Sequence, residues 1–293
     1  METKHKKIKK LNADKCSLPK VTMIIVLVIF ALYGLSLVFP LIWAALNSFR
    51  MNKDFKRYPL DWFNFAKWNT KNYNILFTNE YNMFTMILNS VLISIAGTLL
   101  TCILCAMSSY VVSKYRFKGQ NFIYALAITI MLIPTSGSLA AQYRFMVDSQ
   151  LIDTFFGVII LNTGGFGFNF FLLYGTFKSV SWTYAEAGKM DGASNFTIFW
   201  KIMLPQVIPA LFAVGIITFI GLWNDYFTPF MYLKNHQTLA VGIYRLQQSF
   251  ETRGGNWPVV FAAMVLSSVP IIIVFSIFQK TIISNTVAGG LKG

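Results

Sequence analysis

Residues 181–205, SWTYAEAGKMDGASNFTIFWKIMLP, interrupt a chain otherwise dominated by long apolar runs. Glu186, Lys189, Asp191 and Lys201 fall inside this stretch, whereas residues 154–177 just before it contain no Asp, Glu, Lys or Arg. Thr183-x-x-Glu186 has capping-box spacing, in which the hydroxyl and the carboxylate satisfy early backbone donors of a helix. Gly192 is suited to the left-handed conformation that stops that helix, and Ser194 to capping a second one toward Leu204. Pro205 suits the first turn of the apolar helix after it. The expected product is a bent helix pair, with Ala187, Gly188, Gly192 and Ala193 leaving a surface of low relief that a partner's groove can approach closely. The stretch therefore reads as a docking element.

Around it, residues 21–49, 81–113, 119–143, 154–177, 202–224 and 254–279 carry no charged side chain. Each run exceeds the roughly 20 residues needed to cross about 30 Å of hydrocarbon. With 55% hydrophobic and 12% charged residues, the composition is that of a membrane protein. An all-α integral membrane fold with six transmembrane helices is expected, at about 21–47, 83–112, 122–142, 155–177, 205–223 and 259–278. The first run is too long for a signal peptide and lacks a small-residue cleavage site. A net charge of +14 would point a soluble protein toward nucleic acid. Here seven of the 25 basic residues (Lys4, Lys6, Lys7, Lys9, Lys10, Lys15 and Lys20) precede the first span. Residues 1–20 are thus a basic cytoplasmic flank that sets orientation, and both termini are expected inside.

Other features carry less. Cys102 and Cys105 have CxxC spacing but lie within an apolar run, so they are read as packing, and Cys16 gives no disulfide framework. Tyr58, Trp62, Phe63, Phe65, Trp68 and Tyr73 crowd the outer segment 48–80, as interface aromatics or, alternatively, a sugar-stacking platform. In the second span Asn89, Ser90, Ser94, Thr98 and Thr101 recur every three to four positions. They form one stripe, read either as interhelical hydrogen bonding or as the lining of a hydrophilic path. Pro134 and the stretch Asn162 to Gly167 interrupt the third and fourth spans, and such breaks are tolerated only against protein or a wet cavity. Asn89, Gln142, Tyr143, Asn224 and Asp225 are candidates for a substrate path, Asp225 being either a surface charge or a polyol ligand. His236 alone makes no metal site, and no catalytic residue is assigned. GxxxxGK[ST], HExxH and GxSxG are absent, as is any charged pair within a span, so energy for transport must come from elsewhere.

Glu186-Ala187-Gly188, then Gly192, then Ile202-x-Leu204-Pro205 resembles the EAA motif of permease subunits of bacterial ATP-binding-cassette (ABC) importers. Asn72-Tyr73, Asn89-Ser90, Pro134, Asp191-Gly192-Ala193-Ser194, Trp223-Asn224-Asp225 and Lys292-Gly293 are similar to the carbohydrate subgroup and its smaller maltose-type permease. The resemblance covers nearly all of residues 21–293 and implies the type I importer permease fold. It implies that Glu186, Ala187, Gly188, Asp191, Gly192, Ala193, Ile202, Leu204 and Pro205 form coupling helices that dock on a cytoplasmic ATPase. The implied partners are a second permease subunit, two ATPase subunits or a homodimer of them, an extracellular solute-binding protein, carbohydrate and membrane lipid. No cofactor is expected on this chain, because ATP and Mg belong to the ATPase. The implied location is the bacterial plasma membrane, and the segment 233–256 would probe the binding protein. Phosphorylated polyols, amino acids or peptides are the alternative cargo, and a scaffold without transport is the alternative role. The family usually has Ala at the position of Gly188 and Pro at that of Ser181. Glycine weakens a helix by about 0.5–1 kcal/mol relative to alanine, which implies a looser first coupling helix or one that approaches its partner more closely.

Overall fold

The computed structural model describes residues 20–61, 63, 68–78, 81–133, 135–253 and 255–290. The lysines before Lys20, Cys16, Trp62, Phe65, Pro134 and the closing Lys292-Gly293 lie outside the described residues. Among those described, all regular structure is helical. Uninterrupted apolar sequence forms long helices because a segment in hydrocarbon must satisfy its own backbone donors and acceptors. Among the described residues, three helices are long and apolar enough to cross a membrane, over Val21–Ser48, Met83–Lys114 and Trp257–Gln279. A pair bent by 80°, Asn195–Gln206 with Ile208–Asn224, meets the same test when taken together.

Helix α1 (Lys20–Ser48) runs through Pro40 without ending. Its start is bare, with Leu27 and Phe30 both 68% exposed, and its end packs through Trp43 against Phe261, ring centroids 5.0 Å apart. Short helices α2 (Asn52–Arg57) and α3 (Lys71–Leu76) come next. Just before α2 the buried Arg50 turns its guanidinium onto the carbonyls of Asp54 (3.0 Å), Tyr58 (2.7 Å) and Pro59 (3.3 Å). Buried Asn72 donates to the carbonyls of Ser48 (2.6 Å) and Arg50 (2.8 Å). Phe49 stacks on Trp68 at 5.3 Å, so part of the aromatic cluster packs on the protein itself; Tyr58 and Phe63 stay exposed.

Helix α4 (Met83–Lys114) is the central post. The expected third and fourth spans are each divided, into α5 (Gln120–Leu132) with α6 (Leu139–Asp148) and α7 (Phe155–Asn162) with α8 (Phe168–Ser179). A 3-10 turn, Thr135–Ser138, precedes α6. The α7–α8 break is held by α4. Cys105 Sγ donates to the Gly164 carbonyl at 3.1 Å, Ser108 Oγ to Gly165 at 2.5 Å and Ser109 Oγ to Phe170 at 2.9 Å. The first two bonds give partners to carbonyls of the interrupted stretch, and the third ties α4 to the first turn of α8.

The chain continues through α9 (Thr183–Met190), α10 (Asn195–Thr197), a π-helical turn (Ile198–Met203) and α11 (Leu204–Gln206) to α12 (Ile208–Asn224). After α13 (Phe227–Tyr232), the expected outer segment 233–256 is largely helix α14 (Leu239–Arg253), and α15 (Trp257–Gly290) ends the described chain. Helix α4 packs chiefly on α12 and α8. A Cβ on Gly97 would lie 2.7 Å from Leu222 Cδ1, so glycine permits the close approach of α4 and α12. The polar stripe of α4 is buried in these contacts. Ser90 Oγ accepts the Leu239 N–H at 2.8 Å, and Ser94 and Thr101 are almost wholly enclosed.

Candidate functional site

The start of α9 departs from the expected capping box. Thr183 is already the first helical residue and no side chain caps the end. Instead Ser181 Oγ accepts the Thr183 N–H at 3.3 Å and pairs with the Thr183 hydroxyl. Ser181 is two residues upstream of Thr183 and occupies its hydroxyl, so the reciprocal bond with Glu186 is not made. The far end is as the sequence predicts. Gly192 has φ +77, and the N–H groups of Gly192 and Ala193 return to the carbonyls of Lys189 (3.0 Å) and Gly188 (2.9 Å). Ser194 then caps α10, accepting the Thr197 N–H at 3.2 Å.

Two prolines shape the passage from α11 into α12. Pro205 and Pro209 carry no N–H, so the carbonyls four residues earlier, on Lys201 and Pro205, lose their helical partners. The helix breaks at Val207 and turns by 80° into α12, which therefore begins at Ile208 and not, as expected, at Pro205.

One face of this assembly is internal. Ala185, Ile198, Phe199, Met203 and Val207 form a single core with Tyr110 of α4 and Phe177 of α8. Gly188 is buried in the same contact, where a Cβ would stand 2.5 Å from Ile202 Cδ1. The sequence-derived docking set is thus divided: Glu186, Ala187, Asp191, Gly192 and Pro205 face outward, Ala193, Ile202 and Leu204 are half-buried, and Gly188 is enclosed. Gly188 consequently joins α9 to the π-turn and leaves the outer surface unaltered. The outward face gains residues that motif spacing missed, namely Tyr184 (50% exposed), Met190 (88%) and Phe196 (68%). Met190 carried a signal, as a large apolar side chain on the side of α9 opposite Ala185 and Gly188; Tyr184 and Phe196 carried none in that pattern.

The candidate path residues do not converge. Asn89 donates to the Gln237 carbonyl at 2.9 Å, Gln142 to Ser138 Oγ at 3.0 Å, and Tyr143 stacks on Tyr232 at 6.1 Å. Asp225 Oδ1 accepts the Thr228 N–H at 3.1 Å, which fixes the start of α13. Only Asn224 of this set borders a mixed groove of about 480 Å³, together with Tyr226, Tyr244, Gln247, Ser267 and Ser268. Tyr226 and Tyr244 stack there at 4.9 Å. An aromatic pair beside amides and hydroxyls offers both an apolar face and hydrogen-bonding groups to a polyol. Sequence spacing could not assemble this groove, because α12, α14 and α15 each contribute.

Nearby, Asp153 clamps the segment that leads into α14. Its Oδ1 accepts the N–H groups of Lys234 and Asn235, both at 2.9 Å, Asn235 Nδ2 reaches Oδ2 at 2.5 Å, and His236 Nδ1 lies 3.4 Å from Oδ1. The Asn235 N–H, foremost among these donors, holds the carboxyl below its ordinary range. Among the described residues no group of three His, Cys, Asp or Glu side chains is arranged to hold a metal ion.

Residues 100–286, which include the α7–α8 break, the bent element and the groove, match the family model described as "Binding-protein-dependent transport system inner membrane component". The chain belongs to this family. It is an integral component of a membrane transport system. Among curated relatives, the arabinooligosaccharide transport system permease protein AraQ of Halalkalibacterium halodurans is 31% identical over 270 residues, covering 90% of this chain and 94% of the relative. The maltodextrin transport system permease protein MalD of Streptococcus pneumoniae is 29% identical, covering 89% and 93%. Among solved structures, a chain of a bacterial ABC transporter that imports the acidic polysaccharide alginate superposes with TM-score 0.76 at 22% identity, covering 89% of this chain and 96% of that one. That likeness concerns the fold.

Proposed function

We propose that this chain is a transmembrane permease subunit of an ABC importer for carbohydrate, oligosaccharide in particular. Helices α1, α4, α5 with α6, α7 with α8, α12 and α15 are its six spans, and both termini are cytoplasmic. The observation that carries the reading is the mechanical continuity of the bent element. The outward face of Tyr184, Glu186, Ala187 and Met190 is backed by Gly188 and Ile202, and the same element passes through Val207 into α12.

A cytoplasmic ATPase pair that closes on ATP and Mg would push on the outward face. The buried side transmits that displacement because close-packed contacts shift as units and do not yield continuously. The movement exposes a central path alternately to an external binding protein and to the cytoplasm. A second permease subunit completes that path, and the Asn224–Tyr244 groove is this chain's contribution to it. The relatives named for arabinooligosaccharides and maltodextrin support carbohydrate as the cargo.

The test is reconstitution with the second permease, the ATPase and the binding protein, with labelled-sugar uptake as the readout. Glu186→Arg and Gly192→Asp are expected to leave the chain in the membrane and to reduce uptake by at least about tenfold, as charge conflict at a docking surface does. Full uptake by both variants would refute the docking assignment. A binding protein that takes no sugar in a ligand screen would refute the cargo.

A further inference from the structure

A second groove, of about 550 Å³, opens beside the bent element, bordered by Lys114, Arg116 and Gln120 on one side and Trp182 and Lys189 on the other. Its walls are fixed by bonds that do not involve a ligand. Gln120 Nε2 donates to the Val112 carbonyl at 2.7 Å and holds the α4–α5 turn, where Gly119 has φ +96. Lys114 Nζ donates to the Val180 carbonyl and ties the end of α4 to the approach to α9. Tyr115 meets Trp182 edge-on at 5.6 Å, and Lys189 Nζ lies over the Trp182 ring at 5.3 Å. Two segments distant in sequence thus bring three cationic side chains to one rim. Among the described residues, none of the three is paired with a carboxylate. Basic residues in an inner turn alone would follow from the positive-inside rule. Their convergence with an α9 lysine on one fixed, aromatic-walled groove does not.

From this convergence we infer that the groove is a binding site for the phosphate of an anionic membrane lipid, seated between the α4–α5 turn and α9. Arginine offers paired donors to phosphate oxygens, and lysine adds charge without fixed direction. A lipid is favoured over a soluble phosphate by the exposed apolar side chains that the α4–α5 turn and α5 present to the bilayer. Phe117 at the turn and then Phe122, Leu126 and Ile130, four residues apart along α5, are exposed apolar side chains. They form a stripe along which acyl chains can lie. Because Lys189 belongs to α9, an occupied groove would brace the bent element against the membrane.

The assembled transporter carrying this chain would be purified in mild detergent, exposed to phosphatidylglycerol or phosphatidylcholine, and examined by native mass spectrometry. Wild type is expected to retain phosphatidylglycerol over phosphatidylcholine, and Arg116→Gln with Lys189→Gln to weaken that retention on the order of twentyfold, a few-fold for each charge removed. Lys114 is left intact because it holds Val180. If the double variant fails to assemble, Arg116→Gln alone is expected to give a several-fold loss. Equal retention by variant and wild type overturns the inference, and so does displacement of the lipid by millimolar inorganic phosphate, which would identify a soluble occupant. Neither readout depends on sugar uptake, so this site and the transport reading fail separately.

Discussion

Among single residues, Gly188 and Ile202 compete for the same space. The family's usual alanine at position 188 would place its Cβ 2.5 Å from Ile202 Cδ1. Gly188→Ala alone is therefore expected to cost about 1 kcal/mol, as overpacking does, despite the better helix propensity of alanine. Adding Ile202→Val removes the colliding methyl and should recover most of that loss, a coupling that thermal unfolding of the purified complex would measure in a double-mutant cycle. Strict additivity would show that the two side chains do not compete for the same space. Asp153 makes a second case. Its carboxyl is held below the ordinary range by the N–H groups it accepts, so its contribution is complete above an unfolded-state value of about 3.9 and is lost only as pH falls through the depressed folded value. The clamp is accordingly insensitive to this group's titration between about pH 5 and 8. Replacement by Ala removes charged hydrogen bonds worth about 1.5–3 kcal/mol each. The protection of the Lys234 and Asn235 amides against hydrogen exchange should then fall at least about tenfold, and unchanged protection would assign the clamp to backbone packing instead.

Among the helices and their junctions, the bend between α11 and α12 is the feature most open to manipulation. The sequence already contains its cause, since Pro205 and Pro209 remove two rungs of the helical ladder. Pro205→Ala with Pro209→Ala restores both donors and is expected to open the 80° bend. Spin labels at positions 196 and 222 would then move apart, and sugar uptake would fall while the chain remains in the membrane. An unchanged label distance would mean that the inner core, not the proline pair, imposes the angle. The α7–α8 break was less legible. Asn162 to Gly167 marks an interruption, yet nothing in that stretch says that Cys105 and Ser108 of α4 donate to its carbonyls. The polar stripe of α4 was visible as a periodicity, but its outcome was not: Asn89 and Ser90 pair with Gln237 and Leu239, whereas the Ser94, Thr98 and Thr101 hydroxyls are buried without a partner among the described residues. The capping box failed for a local reason, because Ser181 engages Thr183 first.

For the molecule in its membrane, topology is the quantity to measure. Met190 is 88% exposed on the bent element and Tyr58 is 48% exposed on the segment between α1 and α3. In a Cys16→Ser background, Met190→Cys is expected to react with a membrane-impermeant thiol reagent only from the cytoplasmic side and Tyr58→Cys only from the opposite side. Buried Cys105 should stay unlabelled. Labelling of both positions from one side would break the proposed orientation. The exposed apolar surfaces of α1, α4 and α5 bear on the same assembly. Side chains such as Leu27, Leu99 and Leu132 are more than half exposed on a single chain, and a surface of that kind is covered by lipid or by a second subunit.

Composition and contacts within a few residues were enough to establish the helical membrane class, the place of the polar interruption, its glycine stop at Gly192 and its serine cap at Ser194. The linear chain also carried the motif spacing through which the family could be identified. Packing in three dimensions was needed to settle which side of α9 is buried, that Gly188 faces inward on Ile202, and that Asn224 is joined by Tyr226 and Tyr244 while Asn89 bonds the distant Gln237 and Asp225 a neighbouring amide. The division arises because burial and groove lining are set by helices far apart in the chain. The period of one helix shows that it has two faces, and only its neighbours determine which of them is enclosed.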